Sequence, residues 1–227
     1  MDLIFDFYNT LAEVRTDEQR DLTWSPVVGF YRERGMAASV AHVRRLYGEF
    51  WRRRLDRLDA EGRFAYPELD GALVFKDIAL VYGGRLDDGE AAEVYRIMRE
   101  ASILTLRPFD GAAELLSELR AGGNRLFLLS NAQRAFTRGE IERCGFSDAF
   151  DGMLLSSECG VRKPDPEFFR MLFDKYCIDG KNAVMIGDEK INDIGGAAAV
   201  GIRSVWAEGG AAAHAAEIAE LVGNENQ

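Results

Sequence analysis

Several polar residues of this sequence stand where chemistry is possible, most of them closing or following a short apolar run. Asp6 ends the run in "LIFDF", with Tyr8 and Thr10 in the turn beyond it. Ser130 and Asn131 close "RLFLLSN", Lys163 sits in the proline turns of "VRKPDPEFF", and "NAVMIGDE" delivers Asp188, with Asp193 shortly after. Taken singly, these residues have ordinary structural uses. An aspartate can cap a helix or close a turn, and a lysine before proline can simply be solvated. Asn192 and Asp193 can serve the start of the next helix. Gathered at one edge, the same types can do more: carboxylates can attack or hold a hard cation, and a lysine and hydroxyls can bind an anion.

Elements that would gather them are legible in the patterning. Residues 3–7, 125–131, 182–189 and 202–207, and with them 152–157, are short runs apolar on both faces, as buried parallel strands are. Between them lie amphipathic patterns such as "GAAELLSELRAGG", closed by glycines, and "DPEFFRMLFDKYCI", opened by proline. Alternating β and α predicts an α/β fold, a doubly wound parallel sheet with helices on both faces. Ligands in such sheets bind outside the carboxyl ends of the strands, near the switch in strand order. The region from about 16 to 105 breaks the rhythm with successive helical patterns, so an inserted helical domain is expected there. The α/β core domain is then 1–15 and 106–227, and Pro108 marks the chain's return.

Four strings in this order resemble the signature motifs of the haloacid dehalogenase superfamily of hydrolases: "DFYNT", "LLSNA", "VRKPDPEFF" and "IGDEKIND". The resemblance covers nearly the whole chain, and a helical insert between the first and second motifs is similar to the family's C1 type of cap. It implies Asp6 as nucleophile, Lys163 beside it as the cation that keeps it ionised, and Ser130, Thr10 and Asn131 as hydrogen-bond donors to a phosphoryl group. It also implies a Mg²⁺ ion held by Asp6, Asp188 and the backbone carbonyl of Tyr8, with Asp193 as ligand or support. Covalent attack by a carboxylate splits one displacement into two easier steps. The cation would relieve the meeting of two anions.

Tyr8 departs from the pattern of the family's phosphatases, which carry a second aspartate there as general acid and base. A phenol, with an ordinary pKa of ~10, can donate a proton but is a poor base at neutral pH. Losing that group typically removes ~10²–10⁴-fold in rate. A tyrosine at this position resembles the L-2-haloacid dehalogenases, which would work through an Asp6 ester without metal. Their fourth motif is of a Ser-x-Asn type, however, and a tyrosine expected after the third-motif lysine is here Phe169. The retained "GDEKIND" carboxylates favour a Mg²⁺-dependent phosphohydrolase acting on a small anionic, phosphorylated molecule. A catalytically weakened protein that only binds a phosphoryl ligand or a partner is a further alternative.

The insert is rich in arginine: Arg44, Arg45, Arg52, Arg53, Arg54 and Arg57 alternate with Tyr47, Phe50 and Trp51. Arg52 is the candidate to reach over the site and clamp a substrate anion. The other reading is a solvated helix face with the aromatics packed inward. Hinges of the insert are expected at 12–16 and 104–108. Gly195, Gly196 and Gly201 read as packing and turn residues, since no GxxxxGK[ST] phosphate loop occurs. A formal net charge of −10 over 227 residues argues against nucleic acid and anionic membrane surfaces as partners. Three cysteines without CxxC spacing, no long apolar run and no basic leader point to a cytoplasmic protein with reduced thiols. An apolar face left on the insert would support a homodimer in place of a monomer.

Overall fold

The computed structural model describes residues 1–223. Its centre is a five-stranded, wholly parallel sheet of β1 (Asp2–Phe5), β4 (Arg125–Ser130), β5 (Gly152–Leu155), β6 (Ala183–Gly187) and β7 (Arg203–Trp206). The strand order is β5-β4-β1-β6-β7, so the chain winds outward from β1 on one side and then resumes on the other. The carboxyl ends of β1 and β6 thus flank the crevice where the winding reverses. Registers Ile4↔Phe127 and Ile4↔Met185 set β1 between β4 and β6.

Both sheet faces are buried, which is why these strands lack polar alternation. Leu3, Phe5, Leu126, Leu128, Val184 and Ile186 point into one core, and Ile4, Phe127, Leu129 and Met185 into the other. Each such side chain contributes on the order of 1.5–3 kcal/mol by leaving water.

Between β1 and β4 the chain leaves the sheet through a two-stranded antiparallel ribbon, β2 (Ala12–Thr16) paired with β3 (Ile103–Pro108). The stretches that read as hinges therefore carry paired strands, with a register shift at Arg15/Thr16. From this ribbon hang α1 (Asp21–Glu33), α2 (Val40–Glu61), α3 (Ala72–Val81) and α4 (Asp88–Ser102). These helices pack around a core of their own, including Trp24, Tyr31, Phe75, Ile78, Val94 and Met98. Asp87 opens α4 with a reciprocal capping box to Glu90.

The sheet is covered by α5 (Ala112–Ala121), α6 (Thr137–Arg143), the short α7 (Ser156–Cys159), α8 (Pro166–Tyr176), α9 (Gly196–Ala199) and α10 (Ala215–Gly223). A π-helical turn, Lys190–Gly195, leads into α9. Residues 64–71, between α2 and α3, lie along the sheet domain as a strap. Pro67 bridges Val161, and the Glu68 amide donates to the Gly160 carbonyl at 3.0 Å. Among the described residues no helix is long and apolar enough to cross a membrane. Cys144, Cys159 and Cys177 are free thiols.

Candidate active site

Asp6 leaves β1 with its amide still donating to the Ile186 carbonyl at 3.0 Å, so the ladder to β6 aims it at the crevice. A tight turn follows. The Leu11 and Ala12 amides both return to the Phe7 carbonyl, at 2.8 and 3.1 Å, and Asn9 takes a left-handed φ of 58°. Asparagine is among the few side chains that tolerate this.

Lys163 is brought in from the turn before α8. Its backbone is gripped by Asn131, whose Oδ1 accepts from the Lys163 amide at 2.8 Å while its Nδ2 donates to the Lys163 carbonyl at 3.0 Å. Asp165 caps α8 by accepting from the Glu167 amide at 3.0 Å, and its other oxygen accepts from Ala65 and Tyr66 of the strap. At the end of β6, Gly187 has no room for a side chain. A Cβ there would lie 2.3 Å from the carboxyl carbon of Asp193.

These supports converge on a buried ionic cluster. Lys163 Nζ donates to Asp6 Oδ1 at 2.7 Å and to Asp193 Oδ1 at 2.6 Å, and the lysine is 1 % exposed. The second oxygen of Asp6 has no hydrogen-bond partner among the described residues, while Asp193 Oδ2 accepts from the Glu189 amide at 2.9 Å. One oxygen each from Asp6, Asp188 and Asp193 lie within 4.8 Å of one another. Thr10 holds Asp188 twice: its hydroxyl donates to Asp188 Oδ1 and accepts from the Asp188 amide, both at 3.1 Å.

Electrostatics follow from this crowding. Burial raises the Asp6 carboxyl, Lys163 pulls it back, and Asp193 and Asp188 push it up again, leaving it at about 7. Burial alone would lower Lys163, but Asp6 and Asp193 outweigh it and hold the ammonium up to about 12. Burial also raises Asp188. Three carboxylates facing one ammonium are short of positive charge, and hard oxygen donors of this kind suit Mg²⁺.

Beside the cluster opens a cavity of about 160 Å³ lined by Asp6, Tyr8, Ser130, Lys163, Glu189 and Asp193, among others. Ser130 Oγ is buried without a hydrogen-bond partner, a donor in want of an acceptor. Tyr8 lines this cavity, but its hydroxyl is engaged away from it, donating to Glu140 Oε2 at 2.8 Å and lying 3.0 Å from Thr137 Oγ1. Burial and the Glu140 charge raise its pKa far above the ordinary phenol value. Glu140 in turn accepts from both Nε and Nη2 of Arg99, at 2.7 and 2.9 Å.

Of the residues singled out in the sequence, Asp6, Lys163, Asp188 and Asp193 meet in the cluster, Ser130 and Asn131 line the cavity, and Thr10 is spent on Asp188. Arg52 does not join them: it is exposed on α2 and does not line the cavity. Its neighbour Arg54 pairs with Asp77, and Arg44, Arg45, Arg53 and Arg57 are also exposed. Gly196 packs as expected, since a Cβ there would meet the Phe169 ring at 2.6 Å. Glu140, Thr137 and Arg99 were not apparent from the motifs. The one signal for them is that a half-buried phenol two residues from Asp6 needs a polar partner.

Relatives with known names fit this architecture. The model of the haloacid dehalogenase-like hydrolases matches residues 3–201. The chain is 33% identical over 138 residues to a phosphoserine phosphatase of Thermus thermophilus, covering 60% of this chain and 54% of that one. It is 28% identical over 183 residues to a ribulose-1,5-bisphosphate 5-phosphatase of Halopiger xanaduensis, covering 80% and 76%. A glyceraldehyde 3-phosphate phosphatase of Pyrococcus abyssi is 34% identical over 101 residues, covering 44% and 42%. The chain thus matches about half the length of the first and last of these.

Among solved structures, a 2-haloacid dehalogenase of Pseudomonas syringae superposes with a TM-score of 0.61 at 18% identity, covering 90% of this chain and 85% of that one. A phosphatase of Thermococcus onnurineus does so at 0.55 and 22%, with the same coverage. A dehalogenase and a phosphatase share this fold, so the fold does not separate the two reactions. With the matching model running from β1 through α9 and taking in every residue of the ionic cluster, the chain belongs to the haloacid dehalogenase-like hydrolases.

Proposed function

We propose that the chain is a Mg²⁺-dependent phosphohydrolase that works through an aspartyl phosphate on Asp6 and accepts a small phosphorylated metabolite. The observation that carries this reading is the charge deficit of the cluster, in which Asp6 and Asp193 share the single ammonium of Lys163 and Asp188 adds a third carboxyl beside them. The relatives named as phosphatases support it as well.

Asp6, Asp188 and the Tyr8 carbonyl would hold the ion, with Asp193 in support. Once bound, Mg²⁺ would offset the negative charge of the carboxylates and the incoming phosphoryl group. The free oxygen of Asp6 attacks phosphorus as the bond to the leaving oxygen breaks. Lys163 keeps Asp6 ionised and aligned, and the unpartnered Ser130 hydroxyl donates to a phosphoryl oxygen. Water then attacks phosphorus, returning the carboxylate and releasing phosphate. The helices between β2 and β3, taken as a cap over 16–105, would keep bulk water from the intermediate.

Because the Tyr8 hydroxyl is committed to Glu140, leaving groups stable as anions, in aryl and acyl phosphates, should depart fastest. A dehalogenase would need a cation for its substrate's carboxylate, and Lys163 is the sole cationic side chain among the described residues lining the cavity. The test measures phosphate released from p-nitrophenyl phosphate with and without Mg²⁺, beside chloride released from L-2-chloropropionate. Mg²⁺-dependent phosphate release that vanishes in Asp6→Asn is the expected result. Chloride release without metal would replace the reading with the dehalogenase, and neither product with retained phosphate binding would leave a binding protein.

A further inference from the structure

We infer that Glu140 is a positioning residue: clamped by Arg99, its buried carboxylate holds the Tyr8 hydroxyl and through it the turn that presents Asp6. The inference rests on the reading of Asp6 as nucleophile. Three parts of the molecule meet at this one side chain. Arg99 comes from α4 of the helical segment, Glu140 and Thr137 from α6 of the sheet domain, and Tyr8 from the turn after β1.

The arrangement is tight and dry. The Arg99 and Glu140 side chains are 11% and 3% exposed, and both guanidinium contacts are under 3 Å. The Arg99 guanidinium also lies 5.2 Å from the centre of the Tyr8 ring and 4.8 Å from that of Phe136, so it is stacked as well as paired. Glu140 needs only one of its two oxygens for Tyr8 and gives both to Arg99.

The phenol is thereby held by side chains that do not line the cavity, while Tyr8 itself is one of the lining residues. Tyr8 stands two residues from the nucleophile, in a turn closed by the Leu11 and Ala12 amides on the Phe7 carbonyl. A shift of the phenol is passed to that turn, and small displacements of a reacting group carry large rate penalties.

Because removing one partner of a buried ion pair can unfold the protein, the test uses charge-balanced pairs. Arg99→Met with Glu140→Gln keeps an acceptor for the Tyr8 hydroxyl. Arg99→Met with Glu140→Leu removes it at equal charge and similar bulk. With p-nitrophenyl phosphate and Mg²⁺, the Gln pair should keep kcat within about threefold, and the Leu pair should lose roughly tenfold or more with KM little changed. Amide exchange at Leu11 and Ala12 should quicken in the Leu pair and not in the Gln pair. Tyr8→Phe should reproduce the Leu pair, and adding it to that pair should cost nothing further.

Parental kcat and parental amide protection in the Leu pair would overturn the inference, as would equal losses in both pairs. If the parent protein releases no phosphate, the phosphohydrolase reading fails, and amide exchange alone then decides whether Glu140 holds the turn.

Discussion

Two buried ionic clusters flank the turn after β1, and they are built on opposite principles. On one side Lys163 is shared between Asp6 and Asp193 with Asp188 close by, so acid outnumbers base. On the other side Arg99 and Glu140 meet one to one, with every guanidinium and carboxylate contact short and Tyr8 completing the set. A balanced pair is finished when the chain folds. An unbalanced one holds the Asp6 carboxyl up to about 7 and leaves more acid than the described residues offset, as the proposed cation site requires.

The two clusters differ most sharply at Asp6, the proposed nucleophile. Asp6→Asn should lower phosphate release by at least about 10⁴-fold in kcat, measured with Mg²⁺ and p-nitrophenyl phosphate. Lys163→Met and Arg99→Met each strand a buried carboxylate and should each cost about 3–5 kcal/mol in urea unfolding. Compared with the parent protein at the same Mg²⁺ concentration, the ion should narrow that loss in the Lys163 variant, where the stranded acids are the proposed metal site, and leave it unchanged in the Arg99 variant.

Tyr8→Asp should raise Mg²⁺-dependent release from alkyl phosphates by about tenfold or more, since it returns a carboxylate to the acid/base position. No gain in a folded variant would weigh against the phosphohydrolase.

The smallest effect is one of pH. Asp6 has a folded pKa raised from 3.8 to about 7, so over that interval the folded protein binds more protons than the unfolded chain. The metal-free protein should therefore be most stable below the lower value with respect to this group, and should lose that contribution as pH rises through the upper one. Mg²⁺ competes with the same proton, so its increase in Tm should be larger above pH 7 than at about pH 5. Equal increments at both values would separate the ion from Asp6.

Much of this site is legible in the sequence because its parts are local. Asp6, Ser130 and Asp188 end strands whose unbroken apolar runs declare two-sided burial, and "KPDP" carries both the lysine and the cap of the following helix. The ribbon of β2 and β3 is not, because "AEVRT" and "ILTLRP" are half-exposed and pair across the whole helical segment. Nor are the partners of Tyr8, since Arg99 and Glu140 lie far apart in sequence and within ordinary amphipathic helices. Arg52 shows the limit from the other side. A row of arginines on a helix reads as a clamp or a wet face with equal ease, and only the fold turns Arg54 to Asp77 and leaves Arg52 in water.

The strap at 64–71 bears on how such a chain can be recombined. The ribbon alone would make the helical segment a module plugged in at two points a strand's width apart, about 4.8 Å, and exchangeable for another of any shape. The strap adds a third attachment, and it lands on the turn that delivers Lys163, where Asp165 accepts from Ala65 and Tyr66. A transplanted segment would therefore have to bring its own donors for Asp165, or the graft would disturb the lysine of the recipient.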